Sequence, residues 1–243
     1  MDLTELEEYV CRQNIQIIPS EYWKLKYPDA YTVIKPVDLA EFDKKYTPNI
    51  INKEKTFNIT VLFQNELDYN TNDIVHLTRF IFTSAYAKKY KVIFKFNYTP
   101  REDLIRTFKI AGIEYIGPLE KREDYLSLLQ NSHVVISSHR TNYSGLYLAE
   151  AALFGVPVIT SPTGGSAQLF TQTNSLFLKT KNNDGGENFV PCHECLGGIF
   201  SFIDTSYPTL LRYGQRARLA TRRMYSKERY KTSLEAIKDS LEA

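Results

Sequence analysis

The sequence predicts an α/β fold of three layers, α/β/α, around a mainly parallel sheet of about six strands. Short apolar segments rich in Val and Ile alternate with helix-patterned stretches from Phe57 onward. Several of these segments are continuously apolar, as strands covered on both faces must be. Parallel strands joined through helices then wind as right-handed βαβ units. The 243 residues suffice for one large core.

Leu3, Leu6 and Val10 recur at helical spacing behind Asp2 and Thr4, predicting a short amphipathic helix. Ile15 to Ile18 reads as a brief strand, after which Pro19, Pro28, Pro36 and Pro48 interrupt the chain too often for long helices. Residues 1–50 are therefore expected to form a helical and irregular segment with a linker, wrapping a main domain over 51–243. That domain opens on a strand at Phe57 to Phe63. Asp73 is the expected cap of a helix whose apolar side includes Ile74, Leu77, Ile81 and Ala85, followed by a strand from Val92 to Phe96. Thr99, Pro100 and Glu102 supply a capping hydroxyl, a first-turn proline and an acid to start the next helix, and Gly112 ends it. Strands at Ile113 to Ile116, His133 to Ile136, Val156 to Ile159 and Ser175 to Leu178 alternate with helices at Arg122 to Gln130 and Gly145 to Phe154. Lys179 to Glu187 reads as an exposed loop, and Pro208 to Met224 and Lys227 to Leu241 as closing helices.

Thirty Lys and Arg against 28 Asp and Glu argue against a wholesale nucleic-acid binder, and the 17 tyrosines are too scattered to form a base-stacking platform. No nucleic-acid partner is expected. The acidic start, with Asp2, Glu5, Glu7 and Glu8, is unlike a targeting peptide, and no apolar run reaches the roughly 20 residues of a membrane span. A cytoplasmic location is the expectation. Cys11, Cys192 and Cys195 are sparse and odd in number; Cys192 and Cys195 flank His193 and Glu194 at metal-ligand spacing, but no second such pair exists. Free buried thiols are expected, and no metal. Eight basic residues lie between Arg212 and Lys231, either a solvated helix face or a surface for an anionic membrane or acidic partner.

Chemistry is concentrated in Val134 to Gly165. A strand, a small-residue turn, a helix carrying one acid, a second strand and a glycine pair follow in the order that holds a nucleotide at the carboxyl edge of a parallel sheet. Ser137, Ser138 and Gly145 let a ligand approach backbone donors at a helix start. Gly164, Gly165 and Ser166 offer N–H groups to a sugar or phosphate, and Arg140, beside His139, is the nearest cation. Each has a plainer reading: a turn, an exposed loop pair, a helix cap for Asn142, and a surface carboxylate for Glu150.

This passage resembles the carboxyl-terminal, nucleotide-sugar-binding domain of retaining group 1 glycosyltransferases with the GT-B architecture of two Rossmann-like domains. Glu150, Ala151, Gly155, Pro157, Val158 and Ile159 match the second half of its motif, and Ser144, Gly145 and Leu146 match its glycine turn. Val33 to Phe42 is similar to its interdomain linker, and Arg216 to Arg218 with Tyr225 and Ser226 to its terminal helices. The chain departs from the family where Asn142 replaces the first glutamate of the motif, Gln168 replaces a later acid, and Gln64 to Asp68 stands in place of a phosphate-binding glycine-arginine pair.

The resemblance implies a single GT-B half that binds a nucleoside diphosphate sugar as donor, without a cofactor, and transfers the sugar with retention. It places Glu150 at the ribose, the Gly145 region at the phosphates and Gly164, Gly165 and Ser166 at the sugar end, with Ser137, Ser138, Arg140, Asn142, Ser144 and Leu146 among the donor-binding residues. It assigns no nucleophile or general base, which leaves catalysis to an acceptor-binding domain or partner subunit. The departures keep open a second reading, a non-catalytic interaction module descended from such a domain.

Overall fold

The computed structural model describes residues 2–13, 15–19, 24, 26–45, 56–63, 71–85, 89–137, 145–161, 165–178 and 193–242. The chain opens with α1 (Leu3–Arg12), where Asp2 and Glu5 form a reciprocal capping box. Next come β1 (Ile17–Ile18) and β2 (Tyr31–Thr32), a two-stranded parallel pair, and α2 (Leu39–Lys45). Leu6, Val10 and Val33 pack against Tyr230, Leu234 and Ile237 of the last helix, so this opening segment shares its small core with the carboxyl-terminal end.

Six strands build the main sheet: β3 (Asn58–Phe63), β4 (Lys91–Phe96), β5 (Glu114–Ile116), β6 (Val134–Ser137), β7 (Val158–Thr160) and β8 (Leu176–Phe177). All pairs are parallel, in the order β5-β4-β3-β6-β7-β8. The chain steps outward from β3 through β4 to β5, then returns to pair β6 with the other side of β3. The carboxyl ends of β3 and β6 therefore flank a topological switch point, where connecting segments part and leave a crevice.

The sheet is covered on both sides. On β3 and β4, Ile59, Val61, Phe63, Val92, Phe94 and Phe96 join one core with α3 (Thr71–Thr83), α4 (Glu102–Ile110) and the first half of α8 (His193–Met224). Leu62 and Val135 face the opposite core, formed with α5 (Arg122–Gln130), α6 (Leu146–Leu153) and Phe170, just after α7 (Ser166–Leu169). Period-two alternation along each strand, not the bulk apolarity of the segment, assigns each residue to its layer. α9 (Lys227–Glu242) closes the chain against α1.

Several local expectations change. The α3 helix begins at Thr71, so Asp73 lies inside its first turn and is not the cap. Arg101 occupies the N-cap of α4 without a side-chain hydrogen bond, displacing Thr99 from that role, whereas Gly112 ends the helix region as expected at φ 69°. The α8 helix starts at His193, well before Pro208, and turns non-helical at Ser206 (φ −134°, ψ 26°). Pro208 explains the break: it lacks the N–H that would bond four residues back, and its ring crowds that turn. Cys195 is disulfide-bonded and Cys11 free and exposed, which corrects the expectation of free buried thiols. The Lys179 to Glu187 loop lies outside the described residues.

Beyond its kink, α8 runs against the turn between α6 and β7 at backbone contact. A Cβ on Gly214 would stand 2.2 Å from the Gly155 carbonyl oxygen, and Gly155 itself needs φ 71°. Gly214→Ala is expected to destabilise the protein by about 2 kcal/mol or more, lowering Tm by roughly 4–8 °C. Gly197→Ala in the same helix, where a Cβ meets nothing within 4 Å, should leave Tm unchanged or raise it. Paired thermal melts check both.

Candidate functional site

A cavity of about 650 Å³ opens at the carboxyl edge of the sheet. Lys95 and Asn97 line it from the end of β4, Pro118 to Lys121 from the turn after β5, Arg122 and Tyr125 from α5, and Leu146, Tyr147 and Glu150 from α6. Its volume is in the range of small-molecule sites.

Two acids line the cavity, Glu120 and Glu150, and Glu150 is the buried one. From Tyr147 to Leu153 α6 is buried at every position, and the Glu150 residue is only 4% exposed. Burial raises its pKa, because a carboxylate loses hydration there; the Arg122 guanidinium pulls the other way. Arg122 Nη1 lies 2.8 Å from Glu150 Oε1, and its Nη2 3.3 Å from Glu41 Oε2 on α2. One guanidinium thus ties α5, α6 and α2 together. Arg122 is the first residue of α5 and Lys121 its N-cap, a placement that opposes the positive helix end. The same first turn also holds Glu123 and Asp124, which complement the helix end.

Two further groups are polar and buried. The Tyr125 hydroxyl has no hydrogen-bond partner although it is sealed from solvent, and burial, then the Glu150 charge, pushes its pKa well up, so it is a neutral donor. Lys95 is 2% exposed. Its ammonium donates to the Phe96 carbonyl and, at 2.9 Å, to Asn97 Oδ1, and burial lowers its pKa to about 8. A lysine between Phe94 and Phe96, in a strand covered on both faces, was visible in the sequence; which layer it faced follows from the register Leu62↔Lys95↔Ile116.

The site residues expected from the sequence divide into three groups. Leu146 and Glu150 line the cavity. Ser137 is fully buried at the end of β6, donates to the Leu62 carbonyl at 3.2 Å and pairs with the Tyr147 hydroxyl at 3.1 Å, so it reaches the cavity only through Tyr147. Gly145 caps α6 at φ 67°, where a Cβ would stand 3.2 Å from Gly165 C and Ser166 N; the two glycine turns touch. Ser166 is buried and donates to the Ser161 carbonyl at 3.1 Å. The Ser161 hydroxyl and Gln168 Nε2 are buried beside it without hydrogen-bond partners. Ser138, His139, Arg140, Asn142, Ser144 and Gly164 lie outside the described residues, as do Gln64 to Asp68. Lys95, Arg122, Tyr125 and the 118–121 turn are the lining residues that motif reading missed.

Residues 89–185 match the family described as glycosyl transferases group 1. The match spans β4 through β8 and so includes the cavity. The chain has the fold of one GT-B half, and the family match lies within it. Solved glycosyltransferases share this domain's architecture at low identity. Sucrose-phosphate synthase from Thermosynechococcus elongatus superposes at TM-score 0.64 and 15% identity over 99% of this chain and 62% of its own. Anabaena HepE, solved with UDP and glucose, gives 0.65 and 13% over 100% and 68%. The C-terminal domain of a group 1 glycosyltransferase, LpcC from Francisella tularensis, gives 0.55 and 14% over 80% and 97%. The chain thus spans less than two thirds of the synthase. No curated protein matches it in sequence.

Among the described residues, no cluster of His, Cys, Asp or Glu has the geometry to hold a metal, and no helix is long and apolar enough to cross a membrane. The basic run is partly spent inside the protein: Arg218 and Arg222 both pair with Asp43, and Arg216 donates to the Thr173 carbonyl. Those contacts dock α8 onto the segment after α2's start and favour the structural reading of that run over a membrane face.

Lys95 also governs stability with pH. Below about pH 8 the lysine is protonated in both folded and unfolded chains, and the folded state bears the full desolvation cost. From there towards its ordinary value of 10.5 the folded chain holds fewer protons than the unfolded one, so this group's contribution to stability rises with pH. Lys95→Met is expected to stabilise the ligand-free domain at pH 7 by about 1–3 kcal/mol, the advantage shrinking towards pH 10. Denaturant titrations of both forms across that range measure it.

Proposed function

We propose that this domain is the donor-binding half of a retaining glycosyltransferase and that its cavity takes the nucleoside of a nucleoside diphosphate sugar. The observation that carries the reading is the Glu150 carboxylate, buried in the wall of a mononucleotide-sized hollow and paired with Arg122 at 2.8 Å. A carboxylate is acceptor-only and takes hydrogen bonds from both ribose hydroxyls; in a dry wall, water competes poorly for them. Tyr125, with its unpartnered hydroxyl, is placed to donate to the same nucleoside.

From the ribose, the diphosphate extends towards Gly145 and the start of α6. Backbone N–H groups at that helix end, with its positive dipole, attract the phosphates and stabilise the charge that develops on the departing diphosphate. This stabilisation requires no tightly bound metal. The sugar then falls near Gly165 and Ser166, with Ser161 and Gln168 as buried polar neighbours. UDP and glucose in the similar HepE structure support this donor class. The acceptor, and the groups that direct its attack, come from a further domain or subunit, in keeping with the greater length of the similar glycosyltransferases.

Calorimetric titration with UDP, GDP and ADP and their glucose conjugates tests the proposal. At least one is expected to bind saturably at one site. Glu150→Gln should weaken it by about 10-fold or more, the scale of a hydrogen bond to a charged group. The 2′,3′-dideoxy nucleotide should lose a similar factor on the wild type and little more on the variant. No binding by any nucleotide, with or without an acceptor domain, would instead support the interaction-module reading, which the Gln64 to Asp68 and Asn142 departures favour.

A further inference from the structure

Lys95 has no place in the ribose, phosphate or sugar contacts, and its position makes it expensive to keep. It stands on the α5/α6 side of β4, opposite in alternation to Phe94 and Phe96, and is 2% exposed. Among the described residues no carboxylate pairs with it; of the two acids in the cavity wall, Glu120 is exposed and Glu150 is engaged by Arg122. The two acceptors it has, the Phe96 carbonyl and Asn97 Oδ1, belong to its own strand end and draw the ammonium to the carboxyl edge, into the cavity lining. An ammonium carries three N–H donors and no acceptor, so a third acceptor from a ligand completes its shell.

Position decides which part of the ligand that is. This step rests on the proposed seating of ribose at Glu150. The switch point between β3 and β6, with Gly145 at the α6 start, takes the diphosphate on one side. The nucleobase then extends the other way, towards β4 and β5, into the end bounded by Lys95, Asn97, Pro118 and Leu119. We propose that Lys95 is a specificity-determining residue whose ammonium donates to the exocyclic carbonyl of the base, so that the site prefers uracil and guanine nucleotides over cytosine and adenine nucleotides. Cytosine and adenine present an amine at the corresponding ring position, which sets donor against donor. That mismatch leaves a buried charge short of an acceptor, the arrangement by which polar pockets discriminate most sharply.

The test is titration of the full chain, wild type and Lys95→Met, with UDP, CDP, GDP, ADP and inorganic pyrophosphate, after thermal melting shows the variant folded. The wild type is expected to bind UDP over CDP, and GDP over ADP, by about ten-fold or more, and both ratios should collapse to within about two-fold in Lys95→Met. Equal affinities in the wild type overturn the proposal without recourse to the variant. A preference that survives Lys95→Met overturns it as well. A uniform loss across all four nucleotides and pyrophosphate would assign Lys95 to the phosphates and also overturn it. If the four bind equally and all depend on Glu150, only the base assignment fails; if none binds, the donor-site reading fails and this one with it.

Discussion

The ion pair between Arg122 and Glu150 is the constraint on which the carboxyl edge depends. It holds together the starts of two helices that come from opposite sides of the strand order, α5 after β5 and α6 after β6, and through Glu41 it reaches the segment ahead of the sheet. A buried pair of this kind is a poor source of net stability, since desolvation offsets most of the attraction. What it provides is a fixed carboxylate in a place where a carboxylate would otherwise take up a proton. Removing either partner leaves an uncompensated charge beside the cavity, so geometry and electrostatics of the site fail together.

Around that pair the cavity is lined by groups whose hydrogen-bonding capacity is only partly used. The Tyr125 hydroxyl is buried without a partner and Lys95 has no carboxylate beside it among the described residues; outside the lining, the Ser161 hydroxyl and Gln168 Nε2 are also buried without partners. Folding alone gives no reason for these, because an apolar side chain of similar size would pack at lower free energy. They lie from the end of β4 to the residues just after β7. Apolar packing behind them, on both faces of the sheet, supplies the rigidity that such a row of polar groups needs.

Much of this was legible in the sequence, and the parts that were not share a cause. The layer class, the order of strands and helices and the carboxylate at position 150 follow from periodicity and from one motif. Most boundaries shifted by a residue or two, since end turns are set by tertiary contact more than by local propensity, but α8 starts at His193 instead of Pro208. The Thr99 and Asp73 caps failed because each helix starts elsewhere, α4 behind Arg101 and α3 at Thr71. Arg122 and Lys95 escaped because each becomes meaningful only through residues distant in sequence: Arg122 meets Glu41 81 positions away as well as Glu150, and Lys95 takes its layer from pairing with Leu62. The close contact of Gly214 with the Gly155 turn is likewise invisible to a local window.

The touching backbones of Gly145 and Gly165–Ser166 have a mechanical consequence. With no side chain between them, the start of α6 and the start of α7 meet backbone to backbone, and neither can approach the other further without a clash. Any side chain added at Gly145 would therefore push the two helix starts apart.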